Sequence, residues 1–231
     1  DVLQYDSQWV QSPQRRPLSL SLPFTPGNRP HKGNAVRFYF ENLLPDSKDI
    51  RERVARRYQV GATDAYTLLR EVGRDCVGAL QILPAGDEPP TDLRVQAEPM
   101  SDHAVAQRIR TLAQPGALGD AGMADDFRIS IAGAQEKDAL LFWQGRWCRP
   151  LGATPTTHIF KLPLGLIGNL QLDMQHSVEN EWLCAQLLAA YGLPVAPCEI
   201  LRFEDLKVLS VQRFDRRVWN GDTLLRLPRE D

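Results

Sequence analysis

A lysine and a glutamate twenty residues apart carry the most pointed chemistry in this chain. Lys161 lies inside His158-Ile159-Phe160-Lys161-Leu162, an apolar run in which an ammonium must either snorkel to water or meet an anion. Glu181 lies on a helix predicted to start at Ser177. At the 100° per residue of an α-helix, Val178, Trp182, Ala185, Leu188 and Ala189 form one apolar face, and Glu181 falls on its edge. A carboxylate turned inward needs a partner, and Lys161 is the one on offer. Upstream stands Ile131-Ala132-Gly133-Ala134-Gln135-Glu136-Lys137, whose small residues at 132, 133 and 134 let backbone N–H groups approach an anion closely. This is neither a Walker A loop nor G-x-G-x-x-G. Each feature alone has an ordinary reading as a turn, a snorkelling lysine or a surface glutamate. Taken in order, they are the parts of a phosphate-binding site.

The elements that must position these residues follow from local signals. Residues 1–33 are rich in Pro, Ser and Gln and read as loop with short extended pieces. Three helices are expected next. The first covers Ala35–Leu43 behind an Asn34 cap; the second runs from Ser47 to Tyr58; the third starts at Thr63 or Asp64 and stops at Gly73. Val77–Leu83 reads as a strand, residues 84–99 as a proline-rich linker, and Ser101–Ala113 as a helix. From residue 129 the pattern changes. Leu140–Trp143 and Arg146–Arg149 flank Gln144-Gly145, a hairpin signal. Thr157–Leu162 is a strand. Ser177 caps a helix that ends at Tyr191, before Gly192 and Pro194. Glu199–Phe203 and Leu206–Phe214 flank Glu204-Asp205 as a second hairpin. This is the element order of a protein-kinase N-lobe. The expected fold is α+β, with a small N-terminal α/β subdomain over 1–125 followed by a kinase-like N-lobe over 126–231, an antiparallel sheet plus one helix. Leu224-Leu225-Arg226-Leu227-Pro228 reads as a strand still in progress. The chain therefore reads as a fragment with apolar surface exposed near Leu224, Leu225 and Leu227.

Bulk properties narrow the class. A net charge of −2 gives no global reason to expect nucleic-acid binding. Cys76, Cys148, Cys184 and Cys198 each stand alone, so neither a zinc site nor a C-x-x-C redox pair is indicated, and reduced thiols suit a cytoplasm. No apolar run is long enough to span a membrane, and no signal peptide is visible. The run Arg51-Glu52-Arg53-Val54-Ala55-Arg56-Arg57 reads as a solvated helix face. Asp173 and His176 make no metal site by themselves.

The chain resembles the HipA family of bacterial serine/threonine kinase toxins. The resemblance lies in Arg16-Pro17-Leu18-Ser19-Leu20-Ser21-Leu22-Pro23, Asn42-Leu43-Leu44-Pro45-Asp46-Ser47, Gly73-Arg74-Asp75-Cys76-Val77-Gly78-Ala79, the stretch from Asp126 to Lys137, Thr154–Pro163, and Arg213-Phe214-Asp215-Arg216-Arg217. It implies an ATP-dependent kinase whose phosphate loop is Ala132, Gly133, Ala134, Gln135, Glu136 and Lys137. It also implies autophosphorylation at Ser130 and an ATP-phosphate lysine at Lys161, partnered by Glu181. The hinge against adenine would be Gln212, Arg213 and Phe214, where a close relative has Glu at position 212.

The same resemblance implies Mg²⁺ with ATP in the intact kinase and glutamyl-tRNA synthetase as the substrate, with stalled translation and persistence as the outcome. A HipB-type antitoxin dimer would bind the protein and bring it to DNA only indirectly. The setting would be the bacterial cytoplasm, with no membrane partner. Asp173, Asp205, Asp215, Asp222 and Asp231 are the aspartates after Lys161, and none stands in an H-x-D-x-x-x-x-N or D-F-G setting. No catalytic or metal-holding residue is therefore assigned, and 1–231 alone is expected not to turn over. The alternative is a non-catalytic module whose first 125 residues dock an antitoxin.

Overall fold

The computed structural model describes residues 1–113, 133, 135, 137–167 and 172–228. The N-terminal part opens with a short antiparallel pair, β1 (Val2–Leu3) and β2 (His31–Lys32), with helix α1 (Ser7–Gln11) and a 3-10 turn (Pro26–Asn28) between them. Three helices follow: α2 (Asn34–Glu41), α3 (Lys48–Arg57) and α4 (Ala65–Val72). Helices α3 and α4 start close to where expected, and there the Ser47 and Asp64 side chains act as caps, accepting from Ile50 N and Thr67 N. Helix α2 differs from expectation. Gly33, with φ 75°, is its cap, and Asn34 is already helical. Leu43, Leu44, Val54, Ala55, Leu68, Leu69, Val72 and Cys76 close a core between these helices.

Residues 77–83 do not form the expected strand. They run through turns, with Gly78 at φ 72°. The cause is competition for backbone groups. Gly78 N donates to Asp215 Oδ2 at 2.6 Å, Gly78 O accepts from Arg216, and Cys76 O accepts from Arg213 and Arg216. Distant side chains thus take the hydrogen bonds that a sheet ladder would use.

The second part is built on an antiparallel sheet in the order β3-β5-β4-β6-β10-β9. Its strands are β3 (Ala97–Pro99), β4 (Lys137–Trp143), β5 (Arg146–Pro150), β6 (His158–Lys161), β9 (Cys198–Phe203) and β10 (Leu206–Gln212). Helix α5 (Asp102–Ala113) precedes β4. The pair β7 (Gly165–Ile167) and β8 (Leu172–Met174), then helix α6 (Ser177–Ala190), lie between β6 and β9. A last hairpin, β11 (Arg216–Trp219) and β12 (Thr223–Arg226), follows β10. Gln144 and Gly145 both take positive φ, the twist-compatible geometry of a two-residue hairpin.

Two segments differ from the sequence reading. Residues 97–99, expected within a linker, pair with β5 as an edge strand, and α5 packs on the sheet through Val105, Ala106 and Ile109 against Leu140, Phe160, Phe203 and Val208. The segment from Leu224 is no raw edge. Asn220 and Gly221 at positive φ turn β11 into β12, and Leu224 is buried against Leu141 and Cys148.

Alternation along β4 and β6 gives the sheet two distinct faces. Leu140 and Phe160 face α5, and so does Asp138, whose carboxylate takes a bidentate pair of bonds from Arg108 at 2.6 and 2.8 Å. Lys137 and Lys161, one residue out of phase, face the other way.

Candidate nucleotide-binding site

Lys161 is the last residue of β6, and its ammonium donates to Glu181 Oε1. Helix α6 is held to that face of the sheet by charge. Glu179 pairs with Lys207 of β10 in the same manner, so two carboxylates either side of Asn180 both reach lysines of the sheet, and Val178 just before them is buried. The expected apolar face does not pack as a face. Of Val178, Trp182, Ala185, Leu188 and Ala189 only Val178 is buried, while Trp182 and Leu188 are exposed. Ser177 is the first helical residue rather than the cap, and its hydroxyl accepts from Leu164 N at 2.9 Å.

Lys137 stands directly across from Lys161 in the β4–β6 register. Burial lowers its pKa, and the like charge of Lys161 lowers it further, against the pull of Asp46 and Glu181. The loop before Lys137 is described at Gly133 and Gln135; Ser130, Ala132, Ala134 and Glu136 lie outside the described residues. Gly133 has φ 115°, a conformation that an L side chain rarely adopts, and a Cβ there would run into Lys137 Nζ. Gln135 Nε2 donates to Leu162 O at 2.6 Å, and Lys137 Nζ to Gln135 O at 3.1 Å. The loop is therefore laced to the end of the strand that carries Lys161.

The N-terminal part touches this loop. Pro45 bridges Gly133, and Asp46 N donates to Gly133 O at 3.3 Å. Arg51, expected on a solvated helix face, instead fixes that turn by donating to Pro45 O at 2.6 Å and pairing with Glu41.

The segment after β10 is arranged differently from a free hinge strand. Gln212 N donates to Pro197 O and Arg213 N to Thr157 O, both at 2.8 Å, so these two N–H groups are already used within the protein. Phe214 is exposed, and the Arg213 side chain is buried. Arg213 makes paired 3.0 Å contacts to Asp215 and donates to Asp75, Thr156 and Cys76 O. Arg216 donates to Asp75 Oδ1 at 2.8 Å, and Arg226 Nε lies 3.6 Å from the same oxygen. Burial alone would raise the Asp75 carboxyl, but Arg213, Arg216 and Arg226, with a bond from Thr156, hold it below the ordinary carboxylate range. Burial presses Arg216 down to about 10, still cationic at neutral pH.

Asp75, Thr156 and Asp215 carry no role in the sequence reading. The one signal available was that acids and arginines crowd into two of the stretches resembling HipA. Among the described residues no group of three or more His, Cys, Asp or Glu side chains is placed to hold a metal ion. A cavity of about 500 Å³ opens on the α5 side, lined by Arg57, Gln107, Arg108 and Arg149, and none of the predicted site residues lines it.

A lysine on the middle of an antiparallel sheet, paired with a helix carboxylate and set beside a glycine loop, defines a protein-kinase-like lobe. The chain belongs to the HipA family: a model of the HipA N-terminal domain matches residues 2–83, and one of the HipA-like C-terminal domain matches residues 129–231. It is 30% identical over 242 residues to the putative kinase Y4mE of Sinorhizobium fredii, covering 98% of this chain and 52% of that protein. It is 29% identical over 222 residues to the serine/threonine-protein kinase toxin HipA of Shewanella oneidensis, covering 96% of this chain and 46% of that one. A solved complex of Shewanella oneidensis HipA with HipB and its operator DNA matches with a TM-score of 0.69 and 29% identity, over 97% of this chain and 48% of the solved chain. The chain thus spans about half the length of the relatives it matches.

Proposed function

We propose that this chain supplies the nucleotide-binding lobe of a HipA-type serine/threonine kinase toxin in a type II toxin–antitoxin system. The observation that carries the reading is the Lys161–Glu181 pair, which holds an ammonium at the end of β6 beside the Gly133 loop. With ATP bound, Lys161 would meet the α- and β-phosphates. Lys137 would add a second cation, and Ala132, Gly133, Ala134, Gln135 and Glu136 would offer backbone N–H groups to the outer phosphates. Gln212, Arg213 and Phe214 would border the adenine. Since the N–H groups of 212 and 213 are engaged, their carbonyls and Phe214 are the groups left to meet it. Mg²⁺ would neutralise phosphate charge in the intact kinase, held by residues outside this chain.

The remaining parts of the proposal rest on family membership. Ser130 is the autophosphorylation site, and a phosphate there would add about −1.5 to −2 charge beside the ATP phosphates, making the modification inhibitory. The target is glutamyl-tRNA synthetase in the bacterial cytoplasm, and the outcome is stalled translation and persistence. The N-terminal region, 1–125, takes part in docking a HipB-type antitoxin dimer, which brings the kinase to DNA; residues 126–231 supply the nucleotide lobe, with β3 and α5 from the first 125 residues packed on its sheet. The chain alone transfers no phosphate, because phosphoryl transfer needs a metal and a positioned nucleophile.

The test is radiolabelled ATP transfer and nucleotide binding by the full-length gene product that carries this chain, with Lys161→Ala as the blank. Binding and transfer should both disappear in the blank. Equal binding by the two proteins would remove the basis of the assignment, and Lys161-dependent transfer by 1–231 alone would show that it holds catalytic groups of its own.

A further inference from the structure

We infer that Asp75 is a positioning residue for the nucleotide site, through which the N-terminal unit sets the geometry of the adenine-bordering segment. The inference rests on the kinase reading above and goes beyond it, because Asp75 lies in the helical N-terminal part and is not among the residues that reading places at the nucleotide.

The geometry is specific. Arg213 is fixed by two anchors: its backbone N–H donates to Thr157 O, and its guanidinium reaches Asp75 Oδ2 at 3.2 Å. Thr156, one residue before the first anchor, donates to Asp75 through both N at 3.0 Å and Oγ1 at 2.7 Å. The same carboxylate thus grips both strands that frame the segment, at the ends of β6 and β10. Arg216 closes the far side, bonded to Asp75 Oδ1, Cys76 O and Gly78 O. Two carboxylates, Asp75 and Asp215, face three buried guanidiniums, Arg213, Arg216 and Arg226. Removing the charge of Asp75 leaves a surplus of two cations where there was one, and Arg213 is the cation with a backbone at the site. Its displacement would move Gln212 and exposed Phe214 with it.

A buried cluster of this kind could also be simple glue, so the experiment compares two members of it. Arg226 lies against Asp75, and its hydrogen bonds go to Arg74 O and Ala153 O rather than to residues 212–214. Binding of N-methylanthraniloyl ATP is titrated for the full-length gene product and its Asp75→Asn, Thr156→Val, Arg226→Gln and Lys161→Ala variants, with the urea midpoint of each measured alongside. Asp75→Asn is expected to weaken nucleotide binding about tenfold, or about 1.4 kcal/mol. Thr156→Val should shift it the same way by less. Arg226→Gln should destabilise the fold yet leave affinity within about twofold of wild type. Wild-type affinity in Asp75→Asn, or equal weakening by Asp75→Asn and Arg226→Gln, would overturn the inference while leaving the Lys161 reading intact. Should Asp75→Asn not fold, unchanged affinity in Thr156→Val overturns it instead. Binding that does not depend on Lys161 would overturn both readings.

Discussion

Lys137 and Lys161 face each other across adjacent strands, and like charges in that position cost stability. The lowered pKa of Lys137 records the cost, with burial first and Lys161 next. The sign follows: a base whose folded pKa lies below its ordinary value disfavours folding at neutral pH, where it is still charged. Lys137→Met is therefore expected to stabilise the protein by about 0.5 kcal/mol, seen as a higher urea midpoint, while weakening nucleotide binding. A lower midpoint would show that the ammonium is held by favourable contacts instead. His158 gives a pH-dependent counterpart. Burial lowers it to about 4, and its ring packs edge-on against Trp147 at 5.1 Å between centroids. The unfolded chain takes up the proton near pH 6.5 and the folded one only near 4. Stability is thus full above about pH 6.5 and falls as pH drops towards 4, by about 1–2 kcal/mol once partial solvent screening is allowed for. In His158→Phe this part of the slope should flatten; an unchanged slope between those pH values would assign it to other groups. The Lys161–Glu181 pair was legible in the sequence because a strand lysine and a helix glutamate sit on consecutive elements. Asp75 was not, because its partners Arg213 and Arg216 lie 138 and 141 residues away and no local pattern marks a bond across that distance.

At the scale of elements, helix α5 is held to the sheet by a buried ion pair as well as by apolar packing. Arg108 is nearly buried and Asp138 fully so, with two short bonds between them. Replacing one partner strands a charge in a dry site, which costs about 3–5 kcal/mol, whereas replacing both with apolar groups can be close to neutral. Arg108→Met is thus expected to cost several times more than Arg108→Met with Asp138→Leu, measured by urea unfolding; a double variant as unstable as the single one would show that the pair contributes more than it costs to desolvate. Most elements were legible from local chemistry: the helix starts near Ser47 and Asp64, the Gln144-Gly145 and Glu204-Asp205 turns, and Gly192 at φ 77° behind α6. Three failures have physical reasons. Val77–Leu83 has strand composition, but its neighbourhood gives its hydrogen bonds to arginine and aspartate side chains. Asn220-Gly221 was an overlooked turn signal of the strongest short-range kind, so β11 and β12 were missed as a hairpin. Helix α6 is apolar around most of its circumference, so periodicity could not say which side packs, and the ion pairs of Glu179 and Glu181 decide it instead.

Across the whole molecule, the helical N-terminal part meets the sheet through charge, while helix α6 leaves apolar side chains exposed. The joint is the Asp75 cluster together with the Pro45–Gly133 bridge, so the N-terminal unit reaches the candidate site at both ends. The surface is α6 and its exit, where Trp182, Leu183, Leu187, Leu188, Tyr191 and Leu193 are all exposed. A contiguous patch of this kind binds apolar dyes and drives association in water. The 231-residue chain is therefore expected to bind anilinonaphthalene sulfonate in its folded state and to self-associate as its concentration rises. Leu183→Lys with Leu187→Lys should remove most of the dye signal and raise the solubility limit. The melting temperature should hardly move, because side chains that are half exposed contribute little burial and surface changes are usually within about 0.5 kcal/mol. Leu224→Lys sets the contrast. The sequence placed Leu224 on an exposed edge, but it is 5% exposed and packed on Leu141 and Cys148, so a lysine there should lower the melting temperature sharply. If the α6 double variant keeps the dye signal while Leu224→Lys folds normally and abolishes it, the apolar surface lies at the last hairpin and the packing described for Leu224 is wrong.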